Sequence, residues 1–254
     1  MKITFLGTGT SQGVPVIGCQ CKTCLSENIK NKRLRSSVLI QNKGTNIIID
    51  AGPDFRYQVL RSGISFLDAI LITHGHKDHV GGLDDIRAFN YQQQKAMNVY
   101  AGKFAFPDLE REFHYAFDTN RYPGAPQINL IEVDEKAFSI SGIEIHSILV
   151  QHYENPVFGY RLGKFSYITD ANFISDEEIK KIEGSEIIVL NALRKEKHIS
   201  HFNLDEAVQL LKDLKPKKAY LTHIGHMMGP YEEVSKELPD FIELAYDNLE
   251  IDIN

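Results

Sequence analysis

The chain has 254 residues, of which 43% are hydrophobic and 24% charged, a composition that excludes an intrinsically disordered or fibrous protein. Its 28 lysines and arginines against 34 aspartates and glutamates give a net charge of −6, which disfavours a long nucleic acid bound through its phosphates. No run reaches the roughly 18 apolar residues of a membrane span, and the N-terminus lacks the apolar core of a signal peptide. We therefore expect a cytoplasmic protein without a membrane partner, folded as a single domain over residues 1–254.

Short runs of aliphatic and β-branched residues predict buried strands in the first third of the chain. These runs are residues 2–6, 37–40, 46–50 and 69–72. Lys43 and Gly44 lie between the second and third runs and predict a hairpin turn. Residues 53–63 have a helical pattern that begins at a proline and ends at a glycine.

A second set of strands follows the middle of the chain, at residues 128–133, 143–150, 157–162, 165–169, 186–190 and 218–222. Helical patterns begin at Ser175 and at Leu204. Residues 83–126 are weakly patterned, and we interpret them as an inserted helical cap. Because strands followed by helices recur in both halves without a linker, we predict an α/β fold of two mixed sheets packed face to face with helices outside.

A dense group of metal-ligand types directly follows the predicted strand 69–72. His74, His76, Asp78 and His79 lie within six positions, a pattern that arises by chance in about one chain in a thousand of this composition. Ligands that are close together on one turn cannot all reach one tetrahedral ion. We therefore expect His74 and His76 to serve one metal and Asp78 and His79 to serve a neighbouring one.

Each of these metals needs further ligands from elsewhere in the chain. His152, Asp170 and His223 are the candidates, because each follows a predicted strand just as His74 does. A ligand set of imidazoles and carboxylates suits zinc, manganese and iron alike, so the residues alone leave the metal open.

All three cysteines lie in one short window, at Cys19, Cys21 and Cys24. This spacing excludes a disulfide framework between distant parts of the chain and is typical of metal ligands. A structural zinc site would require a fourth ligand to complete its tetrahedron.

These motifs, together with the turn that begins at Asp50, resemble the metallo-β-lactamase superfamily over nearly the whole chain. The resemblance implies an αββα sandwich that holds two catalytic divalent metals. It also implies that Asp50 binds no metal itself but orients the loops that carry the ligands. The implied ligands are His74, His76 and His152 for the first metal, Asp78, His79 and His223 for the second, and Asp170 as a bridge between them.

A narrower resemblance, to the PhnP family, lies in residues 6–15, 18–24, 35–37, 50–55 and 198–201. The characterised activity of that family is hydrolysis of phosphoribosyl cyclic phosphate, and action on cyclic nucleotides is also known. The resemblance implies that His226 joins the three cysteines on a structural zinc. It also implies catalytic roles for Asp78 and for His201, the latter as general acid or phosphate contact. Manganese is the favoured catalytic metal, followed by zinc.

We accordingly expect a dinuclear phosphodiesterase that hydrolyses a small cyclic ribose phosphate or cyclic nucleotide by attack of a metal-activated hydroxide on phosphorus. Its partner would be a small anionic phosphodiester. The alternatives are an RNase Z-like endonuclease that processes tRNA 3′ ends and a PqqB-like zinc protein of other function. The sequence leaves open a homodimer, as well as the role of His198 and of the basic cluster formed by Arg194, Lys195 and Lys197.

Overall fold

The computed structural model describes residues 1–253. Its strands are β1 (Lys2–Gly7), β2 (Ser37–Asn42), β3 (Thr45–Ile49), β4 (Ala69–Ile72), β5 (Met97–Gly102), β6 (Ile128–Val133), β7 (Phe138–Ile140), β8 (Ile143–His152), β9 (Asn155–Leu162), β10 (Phe165–Ile168), β11 (Phe173–Ile174), β12 (Ile187–Asn191), β13 (Lys218–Thr222), β14 (Ile242–Leu244) and β15 (Glu250–Asp252). Its α-helices are α1 (Lys22–Leu25), α2 (Phe55–Ser62), α3 (Lys77–Val80), α4 (Arg87–Gln93), α5 (Phe106–Glu112), α6 (His114–Phe117), α7 (Asp176–Ile182), α8 (Leu204–Leu214) and α9 (Tyr231–Val234). Short 3₁₀ helices span Ile29–Asn31, Leu83–Ile86, Lys103–Ala105 and His226–Met228.

The strands form two mixed sheets. The first has the order β15-β1-β2-β3-β4-β5-β6, with antiparallel pairing up to β3 and parallel pairing from β3 to β6. The second has the order β11-β8-β9-β10-β12-β13-β14, and β7 pairs with β8 outside that path. Its strands pair in parallel from β10 to β14. Both sheets therefore contain a run of parallel strands whose carboxyl ends meet at one edge.

Three buried apolar layers hold the sheets and helices together. The central layer lies between the sheets and includes Phe5 and Val38 of the first sheet with Tyr167 of the second. Two outer layers pack α2, α4 and α5 on the first sheet and α7 and α8 on the second. This is an αββα sandwich, so the predicted fold class is confirmed.

The predicted strands are all present, with ends shifted by at most two residues. The predicted hairpin turn is present too, because Lys43 and Gly44 both have positive φ, at 49° and 82°, as a two-residue type I′ turn requires. Helices α7 and α8 begin directly after Ser175 and at Leu204, as predicted. In residues 1–253, no helix is long and apolar enough to cross a membrane.

The interpretation of residues 83–126 as a helical cap is wrong in one respect. The segment contains α4, α5 and α6, but it also contributes β5, which pairs in parallel with β4 and β6 inside the first sheet. In β5 the buried side chains of Met97, Val99 and Ala101 alternate with the half-buried Asn98 and Tyr100. This alternation is the strand signal. It was overlooked because neighbouring aromatic residues in the helices obscure the period.

Candidate metal centre

Side chains from both sheets converge where the strands end. Asp50 follows β3 and His223 follows β13, whereas Asp170 lies two residues beyond β10. All three have left-handed backbones, with φ values of 64°, 55° and 55°. Such a conformation is unfavourable for a residue with a side chain and persists where the surrounding structure requires it, as it often does at functional sites.

The structure brings the predicted ligands together in groups whose nitrogen or oxygen donors all lie within 4.8 Å of one another. Each group draws on segments that are far apart in the chain. The groups are His74, His76 and His152; Asp78, His79, Asp170 and His223; and His152, Asp170 and His201. Asp170 belongs to the second and third groups, and His152 belongs to the first and third. The third group also contains His201, which is predicted to be catalytic and not a ligand. The assignment of the ligands, and of Asp170 as a bridge, remains a prediction.

Asp50 orients one histidine in each of the first two groups. Its carboxylate accepts a hydrogen bond from Nδ1 of His79 at 2.6 Å and one from the Thr73 hydroxyl at 2.9 Å. That hydroxyl in turn lies 3.0 Å from Nδ1 of His74 and can accept its proton. The protons assigned to the two Nδ1 atoms leave the lone pairs on Nε2 of His74 and His79, and both Nε2 atoms are buried without a hydrogen-bond partner.

The Nε2 atom of His79 lies 3.1 Å from Asp78 and 3.2 Å from Asp170, in contacts that lack hydrogen-bond geometry. A lone pair facing two carboxylates is repulsive unless a cation lies between them. Burial opposes the charged imidazole, but Asp78, Asp170 and Asp50 together raise the pKa of His79 well above its usual value. The unpartnered nitrogens and surrounding carboxylates therefore fit a divalent cation of the kind that nitrogen and oxygen donors hold.

His152 and His223 are oriented by other partners. Nδ1 of His152 donates to the carbonyl of Ser200 at 2.8 Å, which leaves Nε2 as its acceptor nitrogen. His223 is turned the other way, with Nδ1 3.2 Å from Asp170 and Nε2 3.2 Å from the Thr10 hydroxyl. Burial lowers the pKa values of His74 and His223, and a neutral imidazole is the form that binds a metal.

His201 is buried among the ligand candidates. Its ring centroid lies 4.5 Å from that of His152 and 4.9 Å from that of His223. Its Nδ1 atom lies 3.8 Å from Asp170 and has no hydrogen-bond partner in residues 1–253. Burial and the neighbouring His223 lower the pKa of His201 to about 3. The imidazole is therefore neutral at physiological pH and has a free nitrogen that faces the metal centre.

A separate group contains the three cysteines and His226. Their donor atoms lie within 4.8 Å of one another, and Nδ1 of His226 is 3.2 Å from the Cys19 sulfur and 3.4 Å from the Cys21 sulfur. Burial raises the pKa of Cys24 to about 11, while for Cys21 hydrogen bonds from Cys24 and His226 outweigh burial and lower the pKa to about 6. Three sulfurs and one imidazole are a donor set that a structural zinc takes.

Sequence reasoning missed three residues that hold the ligands in place: Thr10, Thr73 and Ser200. Thr73 could have been found, because it lies between a strand end and His74 and carries a hydroxyl. Thr10 lies in the glycine-rich loop 7–13, which we interpret from the sequence as a turn beside the metal cleft, and its contact with His223 places the loop there. Ser200 acts through its backbone carbonyl, which no residue pattern reveals.

The residues whose role the sequence left open lie next to this centre. The ring of His198 is 5.2 Å from that of His201, and burial followed by the charge of Arg194 lowers its pKa. Lys195 is paired with Glu237 at 2.6 Å. The ring contact places His198 next to His201, and Arg194 is close enough to His198 to influence its charge, whereas Lys195 is neutralised by Glu237.

Comparisons with known proteins agree with this geometry. A model of the Beta-lactamase superfamily domain matches residues 45–224. The crystal structure of a diphosphatase from the PhnP family superposes with a TM-score of 0.93 at 38% identity and covers 100% of this chain and 98% of that chain. Zinc-bound PqqB from Methylobacterium extorquens covers 100% of both chains with a TM-score of 0.79 but only 18% identity, so it shows the fold alone.

A curated relative from Porphyromonas gingivalis (strain ATCC BAA-308 / W83), named an octanoyltransferase, is 37% identical over 253 residues. The match covers 98% of this chain but 51% of that protein. The chain therefore spans about half the length of this relative.

Proposed function

The chain belongs to the metallo-β-lactamase superfamily and, within it, to the PhnP family, and we propose that it hydrolyses a small phosphodiester, namely a cyclic ribose phosphate or a cyclic nucleotide. The observation that carries the proposal is the position of His201. The groups around His74 and His79 contain all seven ligands that the resemblance implies, and His201 is not one of them. His201 lies beside Asp170, and its Nδ1 has no hydrogen-bond partner. A residue that donates a proton to a leaving group needs such a free nitrogen.

The two ligand groups would hold a pair of divalent cations, manganese or zinc, and the cysteine group a structural zinc. When bound, the catalytic pair supplies Lewis-acid activation of water and of a phosphoryl oxygen. Hydrolysis forms a bond between phosphorus and the water oxygen and breaks the bond from phosphorus to the leaving oxygen. That oxygen would gain the proton that His201 carries at Nδ1, and the proton that the attacking water loses would pass to solvent, from which His201 is reprotonated. Asp50 and Thr73 keep His74 and His79 in the tautomers that direct Nε2 inwards.

The negative charge of the substrate would favour the protonated form of His201. With protein neighbours alone, burial and His223 hold its pKa near 3. An anionic phosphodiester placed next to the ring favours the imidazolium and raises its pKa towards the ordinary range. A proton taken up in this way would lie next to the leaving oxygen.

The alternatives have weaker support. A tRNA-processing endonuclease binds a long polyanion, which the net charge of −6 opposes. The likeness to PqqB shows a fold and no activity. Acyl transfer, which the name of the Porphyromonas relative suggests, has weaker support because the match covers only half of that protein. All three cysteines of this chain also lie in the group with His226, so no cysteine is left as a separate nucleophile.

The test is a substrate panel on protein reconstituted with zinc or with manganese. The panel contains ribose cyclic phosphates, cyclic nucleotides, linear diesters, a precursor tRNA and a thioester, and bound metal is quantified in the same samples. We expect kcat/KM to be highest for a cyclic phosphate. Faster cleavage of the precursor tRNA, or no hydrolysis of any phosphodiester by protein with a full complement of metal, would overturn the proposal.

A further inference from the structure

Three of the candidate ligands are each preceded by a threonine at the carboxyl end of a strand. The strands are β4, β10 and β13, and all three threonines are fully buried. The pairs are Thr73 with His74, Thr169 with Asp170, and Thr222 with His223. A threonine side chain is β-branched and has few χ1 rotamers, so its hydroxyl is held in a fixed direction. The pattern therefore places a rigid hydroxyl next to ligand types from both sheets.

The three hydroxyls have different partners. The hydroxyl of Thr73 donates to Asp50, and that of Thr222 has no hydrogen-bond partner in residues 1–253. The Thr169 hydroxyl donates to Oδ2 of Asp170 at 2.6 Å, the length of a strong hydrogen bond to a carboxylate. Of the three, Thr169 is therefore the one whose hydroxyl binds a carboxylate among the candidate ligands.

The backbone around Asp170 is held by other contacts. Neighbouring side chains of an extended strand point to opposite faces, but the left-handed backbone of Asp170 ends this alternation, and its carboxylate meets the Thr169 hydroxyl. The side-chain amide of Asn191 fixes the next residue, because it accepts from the Ala171 N–H at 2.8 Å and donates to the Ala171 carbonyl at 2.9 Å. Rotation of the carboxylate about its last bond remains to be fixed, since the preferences of that torsion are broad.

The plane of the Asp170 carboxylate matters because its two oxygens face different neighbours. Oδ2 lies 3.2 Å from Nε2 of His79 and 3.2 Å from Nδ1 of His223, both in the second ligand group. Oδ1 lies 3.8 Å from Nδ1 of His201. The oxygen of the Thr169 hydroxyl, which binds Oδ2, is itself 3.5 Å from Nδ1 of His223. A rotated carboxylate would move Oδ2 away from the second group.

We propose that Thr169 is a positioning residue whose hydroxyl fixes the plane of the Asp170 carboxylate and so directs Oδ2 to the second metal site. That site is the one assigned to Asp78, His79 and His223. The inference rests on the metal centre of the proposed function and is independent of the substrate that is hydrolysed. Loss of the hydroxyl therefore weakens the second metal site more than the first.

The experiment measures the binding of Mn²⁺ to protein that retains one zinc per chain in the cysteine group. Manganese suits nitrogen and oxygen donors, whereas thiolates select zinc, and free Mn²⁺ is quantified by electron paramagnetic resonance. Thr169→Val removes the hydroxyl with little change of shape, and Thr169→Ser retains it. Thr222→Val is the matched control, because it removes a buried hydroxyl that also precedes a candidate ligand but has no partner.

We expect wild-type protein to bind two Mn²⁺ ions. In Thr169→Val one of the two dissociation constants should rise about 10- to 100-fold, the usual effect of losing a group that orients a ligand, and the other should stay within about threefold. Thr169→Ser and Thr222→Val should keep both constants within about threefold of the wild-type values. A general loss of packing would instead weaken both sites and would not be rescued by serine.

A second background assigns the affected site. Asp78→Asn removes a ligand of the second group, so the Mn²⁺ ion that remains occupies the first. Adding Thr169→Val to this background should leave the remaining dissociation constant within about threefold, because the two changes act on the same site. A tenfold rise would place the effect on the first site and overturn the inference.

Unchanged constants in folded Thr169→Val would overturn the inference, as would an equal rise in Thr222→Val or a wild-type protein that binds fewer than two Mn²⁺ ions. If valine prevents folding, Thr169→Ser is compared with Thr169→Ala, which tests the same hydroxyl on a smaller side chain. The measurement requires no turnover, so it is separate from the test of the proposed function. A loss confined to the second site would support the inference even if no phosphodiester were cleaved, and unchanged constants would overturn it even if phosphodiesters are hydrolysed.

Discussion

The carboxylate of Asp50 lies 2.6 Å from Nδ1 of His79 and reaches His74 through the Thr73 hydroxyl. One fully buried carboxylate therefore sets the tautomer of His74 in the first ligand group and of His79 in the second. Burial raises the pKa of Asp50, and His79 opposes this rise. Because the acid is stabilised by the rings that it orients, a change at Asp50 should affect both groups together.

The first prediction concerns this acid. Asp50→Asn keeps the shape of the side chain but replaces one carboxylate oxygen with an N–H₂ group, which donates hydrogen bonds and cannot accept those that Thr73 and His79 donate to Asp50. We expect the affinity for the catalytic metals to fall about 10- to 100-fold, measured by competition with a fluorescent chelator. Asp85→Asn is the control, since it removes a carboxylate outside the ligand groups. Wild-type affinity in Asp50→Asn would show that the hydrogen bonds do not orient the ligands.

The second prediction separates proton donation from metal binding at His201. His201→Ala should lower kcat on a phosphodiester about 10²- to 10⁴-fold, the range associated with a general acid. Metal content should stay at the wild-type level, because the groups around His74 and His79 do not include this ring. His146→Ala removes an imidazole that pairs with Glu144 on β8 and serves as the control. Full activity in His201→Ala would exclude the catalytic role.

The third prediction concerns the cysteine group. Cys24→Ser replaces a buried sulfur ligand with a weaker one and should remove one zinc per chain, as measured by elemental analysis. Activity should fall as well, because His226 lies three residues beyond His223 and the two are joined by a short backbone segment. Thr23→Ser, at a neighbouring buried position, should change neither quantity. Wild-type zinc content in Cys24→Ser would show that the cysteines hold no metal.

The fourth prediction is a pH dependence of stability that comes from Asp247, which is in none of the ligand groups. This carboxylate accepts hydrogen bonds from the Thr8 hydroxyl and the Leu34 amide, and Arg61 lies 3.7 Å away. Burial nevertheless raises its pKa from 3.8 to about 6. Between these values the folded protein keeps a proton that the unfolded chain has released, so this contribution to stability is present below pH 4 and is lost as the pH rises through 6.

The shift from 3.8 to about 6 corresponds to about 3 kcal/mol. The free energy of unfolding of wild type relative to Asp247→Asn should therefore fall by up to that amount between pH 4 and pH 7, measured by urea denaturation. Metal loss at low pH affects both proteins alike and cancels in the difference. A difference that does not vary with pH would contradict the raised pKa of Asp247.

Local patterns in the sequence were sufficient to predict most strands and the positions of the metal ligands. Strands β1 to β4 each contain a run of aliphatic and β-branched residues, which is typical of buried strands. His74, His152, Asp170 and His223 were recognised because polar ligand types follow such runs. Strand β5 was missed because its alternating pattern lies between helices that are rich in aromatic residues. Strand β11 was missed because two residues are too few to show an alternating pattern.

The contacts that decide the chemistry lie beyond such patterns. The sequence by itself determined most of the sheet strands, the candidate ligand types and the cysteine cluster, since each depends on residues that are neighbours along the chain. Only the tertiary structure decided that Thr10 meets His223, 213 positions away, and that Glu237 neutralises Lys195 while Arg194 keeps its charge. The physical reason is that hydrogen bonding and charge neutralisation depend on distances across the folded molecule, whereas periodicity describes the backbone only locally.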